Sequence, residues 1–206
     1  MTTVWQTGET KSLPGVWDQC MDSTLEPLAR SLRQAPVVDR DGYEYFVHGV
    51  TDGIPPVEPA VLSAVADGIS ERVDLEAVDK IVAPEAMGIH HGTALSIATD
   101  VPLVVVRKRS YGFPEEVAVH QETSYGESEL YLNGVDAGDR VLLVDDVLSS
   151  GGTIEAVCDA LEAVEAELVD IVVVLRRVDV DHADVSRDVT SLLDVRVRDG
   201  KVEILE

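Results

Sequence analysis

Two adjacent carboxylates, Asp145 and Asp146, stand two residues before a run of small residues, Ser149, Ser150, Gly151, Gly152 and Thr153. Such a run offers backbone N–H groups unobstructed by large side chains, together with three hydroxyls. A helix starting near Ile154 would point the positive end of its dipole into the run. That combination is an anion site, most naturally one for a phosphate. The carboxylates are too negative to face a phosphate, but they suit hydroxyl donors on the same ligand. A ligand with one phosphate and vicinal hydroxyls is a ribose 5-phosphate.

A strand is needed to hold these groups. Val141, Leu142, Leu143 and Val144 form an apolar run long enough for a strand covered on both faces. The carboxylates then fall at the strand end, where open α/β sheets bind their ligands. Other phosphate motifs do not fit. A P-loop needs Lys after its last glycine, and Gly152 is followed by Thr153. A dinucleotide fingerprint places its acid about 20 residues after the glycines, not before them. A plain strand–turn–helix with Thr153 as N-cap explains the loop but not the paired carboxylates.

Further strands alternate with helices along the chain. Asp22 to Gln34 reads as a helix with Leu25, Leu28, Ala29 and Leu32 on one face, capped by Asp22 or Ser23 and ended by Pro36. Residues 37–50 read as two short strands turning at Asp41-Gly42, either a cap over a binding site or a peripheral hairpin. Glu58 to about Val73 is an amphipathic helix. Asp79 to Pro84 is a core strand, Ile89 to Thr99 a helix, and Pro102 to Val106 a second core strand. Leu168 to Leu175 is another, ending in Arg176 and Arg177, and Ser191–Val197 with Lys201–Leu205 reads as a terminal hairpin turning at Asp199-Gly200. This alternation implies right-handed βαβ units and a mostly parallel sheet. Arg107, Lys108 and Arg109 follow a core strand directly, which suits contact with a polyanion, a solvated strand terminus being the alternative. Ser110 to Asn133 has little apolar content and reads as a mobile flap.

Composition bounds the rest. The 206 residues make one domain, and 45% hydrophobic content supplies a core. No run approaches the roughly 18 apolar residues of a membrane helix, and the N-terminus has no signal-peptide pattern. Residues 1–20 show no periodicity and are an extension without an assigned role, either flexible or the product of an upstream start. The two cysteines, Cys20 and Cys158, do not suggest a disulfide, which fits a reducing cytoplasm. His90 and His91 are adjacent and would diverge on a helix rather than share a metal. A net charge of −23 excludes non-specific nucleic-acid binding. The acid is spread over the chain, as in salt-adapted haloarchaeal proteins. At molar salt the Debye length is about 3 Å, so the self-repulsion is screened, and a need for high salt is expected.

The 13 residues from Val141 to Thr153 resemble the phosphoribosyl-diphosphate (PRPP) signature of type I phosphoribosyltransferases. Pro84 to Ile89 is similar to the diphosphate loop of the purine enzymes, and Val106-Arg107-Lys108 and Tyr125 to Leu130 to the two ends of their catalytic flap. Tyr45 to His48 with Thr51-Asp52-Gly53 resembles the archaeal hypoxanthine/guanine subfamily. The resemblance runs from about Met21 to the C-terminus. It implies the type I phosphoribosyltransferase fold, with a small hood from residues 37–56 and 176–206 and a flexible flap.

The implied reaction joins a purine to C1 of PRPP and releases diphosphate, with Mg²⁺ as cofactor. Asp145 and Asp146 would hold the ribose hydroxyls and Mg²⁺, directly or through water. Ser149, Ser150, Gly151, Gly152 and Thr153 would hold the 5-phosphate. Glu85, Ala86, Met87, Gly88, Arg107 and Lys108 would hold the diphosphate, the loop carrying a non-proline cis peptide. Lys108 and Tyr125 would act in catalysis, and Arg176, Arg177 and Val147 would contact the base. Two departures leave the general base open. Ser149 stands where human-type hypoxanthine/guanine enzymes have an Asp, and Ser124 where adenine enzymes have a Glu, with Glu122 and Glu127 nearby. A guanidinium at Arg176 or Arg177 suits a 6-oxopurine, a surface arginine pair being the alternative. The resemblance also implies a cytoplasmic homodimer. An adenine enzyme and a non-catalytic PRPP- or purine-sensing regulator are the other readings. Such regulators usually carry an added DNA-binding domain, and residues 1–20 are too short for a helix-turn-helix.

Overall fold

The apolar runs anticipated as core strands lie side by side in one sheet. The structure, a computed structural model, describes residues 23–40, 43–123, 126–180 and 185–205. The extension at residues 1–20, the turn residues Asp41 and Gly42, and Ser124 with Tyr125 lie outside the described residues. A short 3₁₀ turn at Ser23–Leu25 leads into α1 (Glu26–Leu32). No side chain caps α1; Pro27 sits in its first turn, where the missing N–H costs nothing. Leu25, Leu28, Ala29 and Leu32 are all buried, as their spacing implied. Each leucine contributes about 2 kcal/mol of hydrophobic stabilisation.

The hairpin β1 (Val37–Arg40) and β2 (Tyr43–Phe46) follows, antiparallel, with Val37 opposite Phe46. Residues 47–50 do not extend the second strand as expected. Instead the chain turns into a short helix, α2 (Gly49–Asp52), because the His48 side chain accepts a hydrogen bond from the Val50 N–H and caps it. Then come α3 (Pro59–Ser70), β3 (Lys80–Pro84), α4 (Gly88–Thr99) and β4 (Leu103–Val106). The hairpin β5 (Val117–Thr123) and β6 (Gly126–Leu132) leads to β7 (Arg140–Leu148), α5 (Gly152–Ala163), β8 (Glu167–Arg177), β9 (Thr190–Arg198) and β10 (Lys201–Leu205).

The six-stranded sheet has the order β10-β9-β8-β7-β3-β4, parallel except for the β9–β10 pair. Alternation sorts the side chains into two cores. Leu142, Val144, Val172 and Val174 pack with α1, α3, α4 and Phe46. Val141, Leu143, Ile171 and Val173 pack on the other face with α5 and the root of the β5–β6 hairpin. That hairpin is more firmly rooted than its sequence suggested, since Leu130 and Leu132 are fully buried. The two segments expected to form the hood differ in kind. β1, β2 and α2 form a separate small layer, whereas β9 and β10 continue the central sheet. They meet where the Gly200 N–H donates to Glu44.

From β3 the chain crosses through α4 to one edge, and from β7 it crosses through α5 towards the other. The β3–β7 boundary is therefore the topological switch point, where the loops after the two strands diverge and leave a crevice.

Candidate active site

β7 extends further than the apolar run alone suggested. Its pairing with β8 continues to Leu148 opposite Arg176, so Asp145 and Asp146 lie inside the strand's last turns of pleat and not beyond its end. Asp145 is 5% exposed, and one of its carboxylate oxygens accepts the Asp146 N–H at 2.9 Å. Burial pushes both carboxyls up, Asp145 to about 6 and Asp146 well above its ordinary range, and the Asp145 charge adds to the rise at Asp146. Lys108 pulls Asp145 the other way, which places the basic segment within electrostatic reach of the pair. Two carboxyls pushed up chiefly by burial are suited to a cationic or hydroxyl-rich ligand.

Past β7 the backbone turns through Gly151 at φ 85°, a left-handed conformation that glycine adopts without a Cβ clash. α5 starts at Gly152, a little earlier than expected, with Gly151 rather than Thr153 in the capping position. No capping side chain takes up the first N–H groups of the helix, which belong to the end of this same loop.

The loop after β3 lies against the same strand end. Glu85–Ala86 is a cis peptide bond, and Met87 caps α4. A Cβ on Gly88 would meet the Val144 carbonyl oxygen at 3.0 Å and an Asp145 carboxylate oxygen at 3.1 Å. Only glycine lets the start of α4 approach the carboxylates this closely. The two loops, far apart in sequence, thus share one crevice.

Glu85 does not point its charge at this crevice as a ligand would. Its carboxylate accepts from Arg107 Nε at 2.8 Å and from the Lys108 N–H at 3.1 Å, and these bonds lower its pKa. Glu85 therefore anchors the basic segment after β4 beside the Ala86–Gly88 amides. The Arg107 backbone pairs with Tyr131 at the root of the hairpin, tying segment and flap together. Tyr125 lies outside the described residues, as do the side chains of Glu122 and Glu127.

The arginine pair at the end of β8 is divided by strand alternation. Arg176 makes a two-bond ion pair with Asp194, its partner across β9, at 2.8 and 2.7 Å, and does not line the crevice. Arg177 is buried on the hood side, bonded twice to Asp179, with its guanidinium 5.6 Å from the centre of the Phe46 ring. A cleft of about 200 Å³ opens there, lined by Tyr45, Phe46, Thr51, Asp146, Val147, Ser149 and Arg177. It joins an aromatic and apolar wall to Asp146 and the first serine of the Ser149–Thr153 loop. A larger open groove of about 510 Å³ between α1 and α3 contains none of these residues.

Three contributors to this site have no role assigned to them from sequence. His91 of α4 is fully buried and bonds the Val50 carbonyl through Nε2 at 3.0 Å, fixing α2 to the helix that starts after the Glu85–Met87 loop. Burial lowers its pKa to about 3, so it is neutral and acts as an N–H donor. His48 caps α2, and Asp52 gathers bonds from Tyr45, Thr51 and the His48 N–H. His48 and Asp52 fall within the stretch that resembles the archaeal subfamily, but the resemblance gives neither a role, and His91 stands out in the sequence only as the neighbour of His90.

The Phosphoribosyl transferase domain family matches residues 57–197. The chain is 83% identical over 186 residues to "HGPRTase-like protein 3" of Haloterrigena turkmenica, covering 90% of this chain and 100% of that protein. It is 55% identical over 181 residues to "HGPRTase-like protein 2" of Haloquadratum walsbyi, covering 87% of this chain and 99% of the relative. Among solved structures it is similar to adenine phosphoribosyltransferase from Thermoanaerobacter pseudethanolicus, with a TM-score of 0.67 and 26% identity over 82% of this chain and 99% of the other. The enzyme from Saccharomyces cerevisiae, solved with an imino-sugar bisphosphate and adenine, superposes with a TM-score of 0.66 and 26% identity over 83% and 99% of the two chains. A family match across most of the described chain, on a switch-point crevice built from the matching motifs, identifies this protein as a type I phosphoribosyltransferase of haloarchaeal type.

Proposed function

We propose that the protein transfers the 5-phosphoribosyl group of PRPP to a 6-oxopurine, hypoxanthine or guanine, releasing diphosphate. The observation that carries this reading is the cleft itself, where Phe46, Tyr45 and Val147 adjoin Asp146 and Ser149. A flat base between those walls would sit next to the sugar held by the acids and the phosphate held by the loop.

The N–H groups of Ser149 to Thr153 at the start of α5 would hold the 5-phosphate, and the amides of Ala86, Met87 and Gly88 at the start of α4 the diphosphate. Asp145 and Asp146 would accept the ribose hydroxyls and stabilise positive charge as it develops on the sugar. They offer only oxygen donors, and a buried acidic pair whose charges repel fits Mg²⁺. When bound there, the ion would neutralise diphosphate charge. Arg107 and Lys108, anchored by Glu85, would add cationic charge on the leaving-group side. The flap, with Tyr125, would exclude water that otherwise hydrolyses PRPP.

Arg177 supports the 6-oxo choice, because a guanidinium has only donors to offer and O6 is an acceptor. The relatives named HGPRTase-like point the same way. Adenine is the second reading, favoured by the solved neighbours, one of which holds adenine. A cytoplasmic homodimer belongs to the same proposal. Incubation with Mg²⁺, PRPP and each purine in molar KCl tests it, with nucleotide and diphosphate as the readout. We expect turnover with hypoxanthine or guanine exceeding that with adenine. Arg177→Ala should reduce that preference about tenfold, on the scale of one charged hydrogen bond, while Arg176→Ala should leave it unchanged. Preferential turnover of adenine refutes the base assignment, and no turnover with any purine refutes the activity.

A further inference from the structure

The hood's hydroxyl groups face the cleft with their protons already committed, and one residue commits them. Asp52, at the end of α2, accepts from Tyr45 Oη at 2.5 Å through one carboxylate oxygen and from Thr51 Oγ1 at 2.7 Å through the other. The His48 N–H donates to the second oxygen as well, at 3.0 Å. Tyr45 and Thr51 line the cleft, and Asp52 does not. Each hydroxyl has one proton, and a carboxylate can only accept. The Thr51 hydroxyl also lies 3.4 Å from the His48 carbonyl oxygen, a longer contact than its 2.7 Å bond to Asp52. With the shorter bond of each hydroxyl directed at Asp52, Tyr45 and Thr51 turn lone pairs towards the cleft.

The support for this arrangement is rigid. His48 Nδ1 accepts from the Val50 N–H at 3.2 Å, which leaves the proton on Nε2, directed at Ser31 Oγ 3.0 Å away on α1. Val50 is in turn held by His91 on α4, and Gly53 closes α2 in a left-handed turn at φ 68°. Asp52 is thus fixed from two helices, and it sets the polarity of two cleft groups without touching a ligand.

We propose that Asp52 is a specificity-determining positioning residue. By taking the hydroxyl protons of Tyr45 and Thr51, it makes this wall of the cleft an acceptor for an N–H group on the edge of the base. Together with the donor Arg177 on another wall, the cleft then presents acceptors and a donor, the complement of a lactam edge with N1–H and O6. Adenine has no proton on N1. The inference rests on the base-binding reading of the cleft given above.

Asp52→Asn tests it with little change of volume. The amide keeps one acceptor oxygen and introduces an N–H₂ donor, so at least one hydroxyl must turn its proton elsewhere. In molar KCl the expected result is a rise of about tenfold in KM for the preferred oxopurine, the size of one hydrogen bond. KM for PRPP should stay within about twofold, and the kcat/KM ratio of hypoxanthine to adenine should fall. Thr51→Val, which leaves Asp52 bonded to Tyr45 and His48, should give a smaller change in the same direction, and it carries the test if Asp52→Asn does not fold. A uniform loss across bases with the ratio unchanged, or wild-type base KM in the variants, overturns the proposal and leaves the base site standing. Absence of turnover by the wild-type protein with every purine overturns the base-site reading itself, and this inference with it.

Discussion

At Asp145 stability and the proposed function pull in opposite directions. Burial raises its pKa from 3.8 to about 6, so folding favours the protonated form. The stabilising contribution is complete below 3.8 and is lost as pH rises through about 6. A displacement of that size corresponds to about 3 kcal/mol. Asp145→Asn, which cannot ionise, should therefore raise the melting temperature of the ligand-free protein at pH 8, measured in chelator and molar KCl. The gain should shrink towards about pH 4. The same variant should lose at least about a hundredfold in kcat/KM for PRPP, because its amide cannot replace a carboxylate against a developing cation. An unchanged melting temperature at pH 8 would show that the carboxyl is not destabilised by its site. Glu85 is a contrasting acid. Its bonds to Arg107 and Lys108 lower its pKa, so it remains charged and acts by holding cations in place.

Among the elements, the hairpin of β5 and β6 departs most from its sequence pattern. Its polar composition suggests a loose flap, yet Leu130 and Leu132 are fully buried against the α5 side of the sheet. Leu130→Ala should cost about 2–5 kcal/mol of global stability, read from denaturant unfolding at high salt. A cost near zero would mean that the root is not part of the core. The segment between β4 and β5 is organised differently. Glu116 accepts from the Tyr111 and Gly112 N–H groups, the Ser110 hydroxyl and Asn133. Those bonds lower its pKa to about 2, so the turn should persist until pH falls towards that value. Glu116→Ala should speed hydrogen exchange at Tyr111 and Gly112 without a resolvable change in global melting. A large drop in melting temperature would instead make this surface turn part of the cooperative unit.

At the scale of the whole molecule the governing quantity is charge. A net charge of −23 on 206 residues opposes compaction at low ionic strength. Screening with a Debye length of about 3 Å at molar salt removes most of that repulsion. The melting temperature should rise markedly between about 0.1 M and molar KCl, and equal stability in the two would contradict the salt requirement. The described ion pairs, such as Arg140–Asp79 and Arg196–Glu203, lie mostly on the surface. They use a good part of the scarce cationic charge and leave the acidic excess to the solvent.

Much of this protein was legible in the chain itself. The apolar run at Val141–Val144 and the small-residue loop after Asp146 specify a strand, a turn and a helix from local physics alone. The order of strands and helices then leaves few topologies besides a parallel sheet. The loop proposed to hold the phosphate was readable for the same reason, because its residues are contiguous and its turn and helix start are set by local backbone preference. The cleft proposed for the base was not. Its walls come from β2, α2, β7 and β8, which meet only when the hood folds over the sheet. Strand alternation, not composition, separated Arg177 from Arg176, and packing alone brought Glu85 to Arg107, His91 to Val50, and Gly88 to Asp145. Local sequence fixes periodicity and backbone preference, which depend on near neighbours. Which buried polar group finds which partner depends on approach across the fold, and that only the tertiary structure decided.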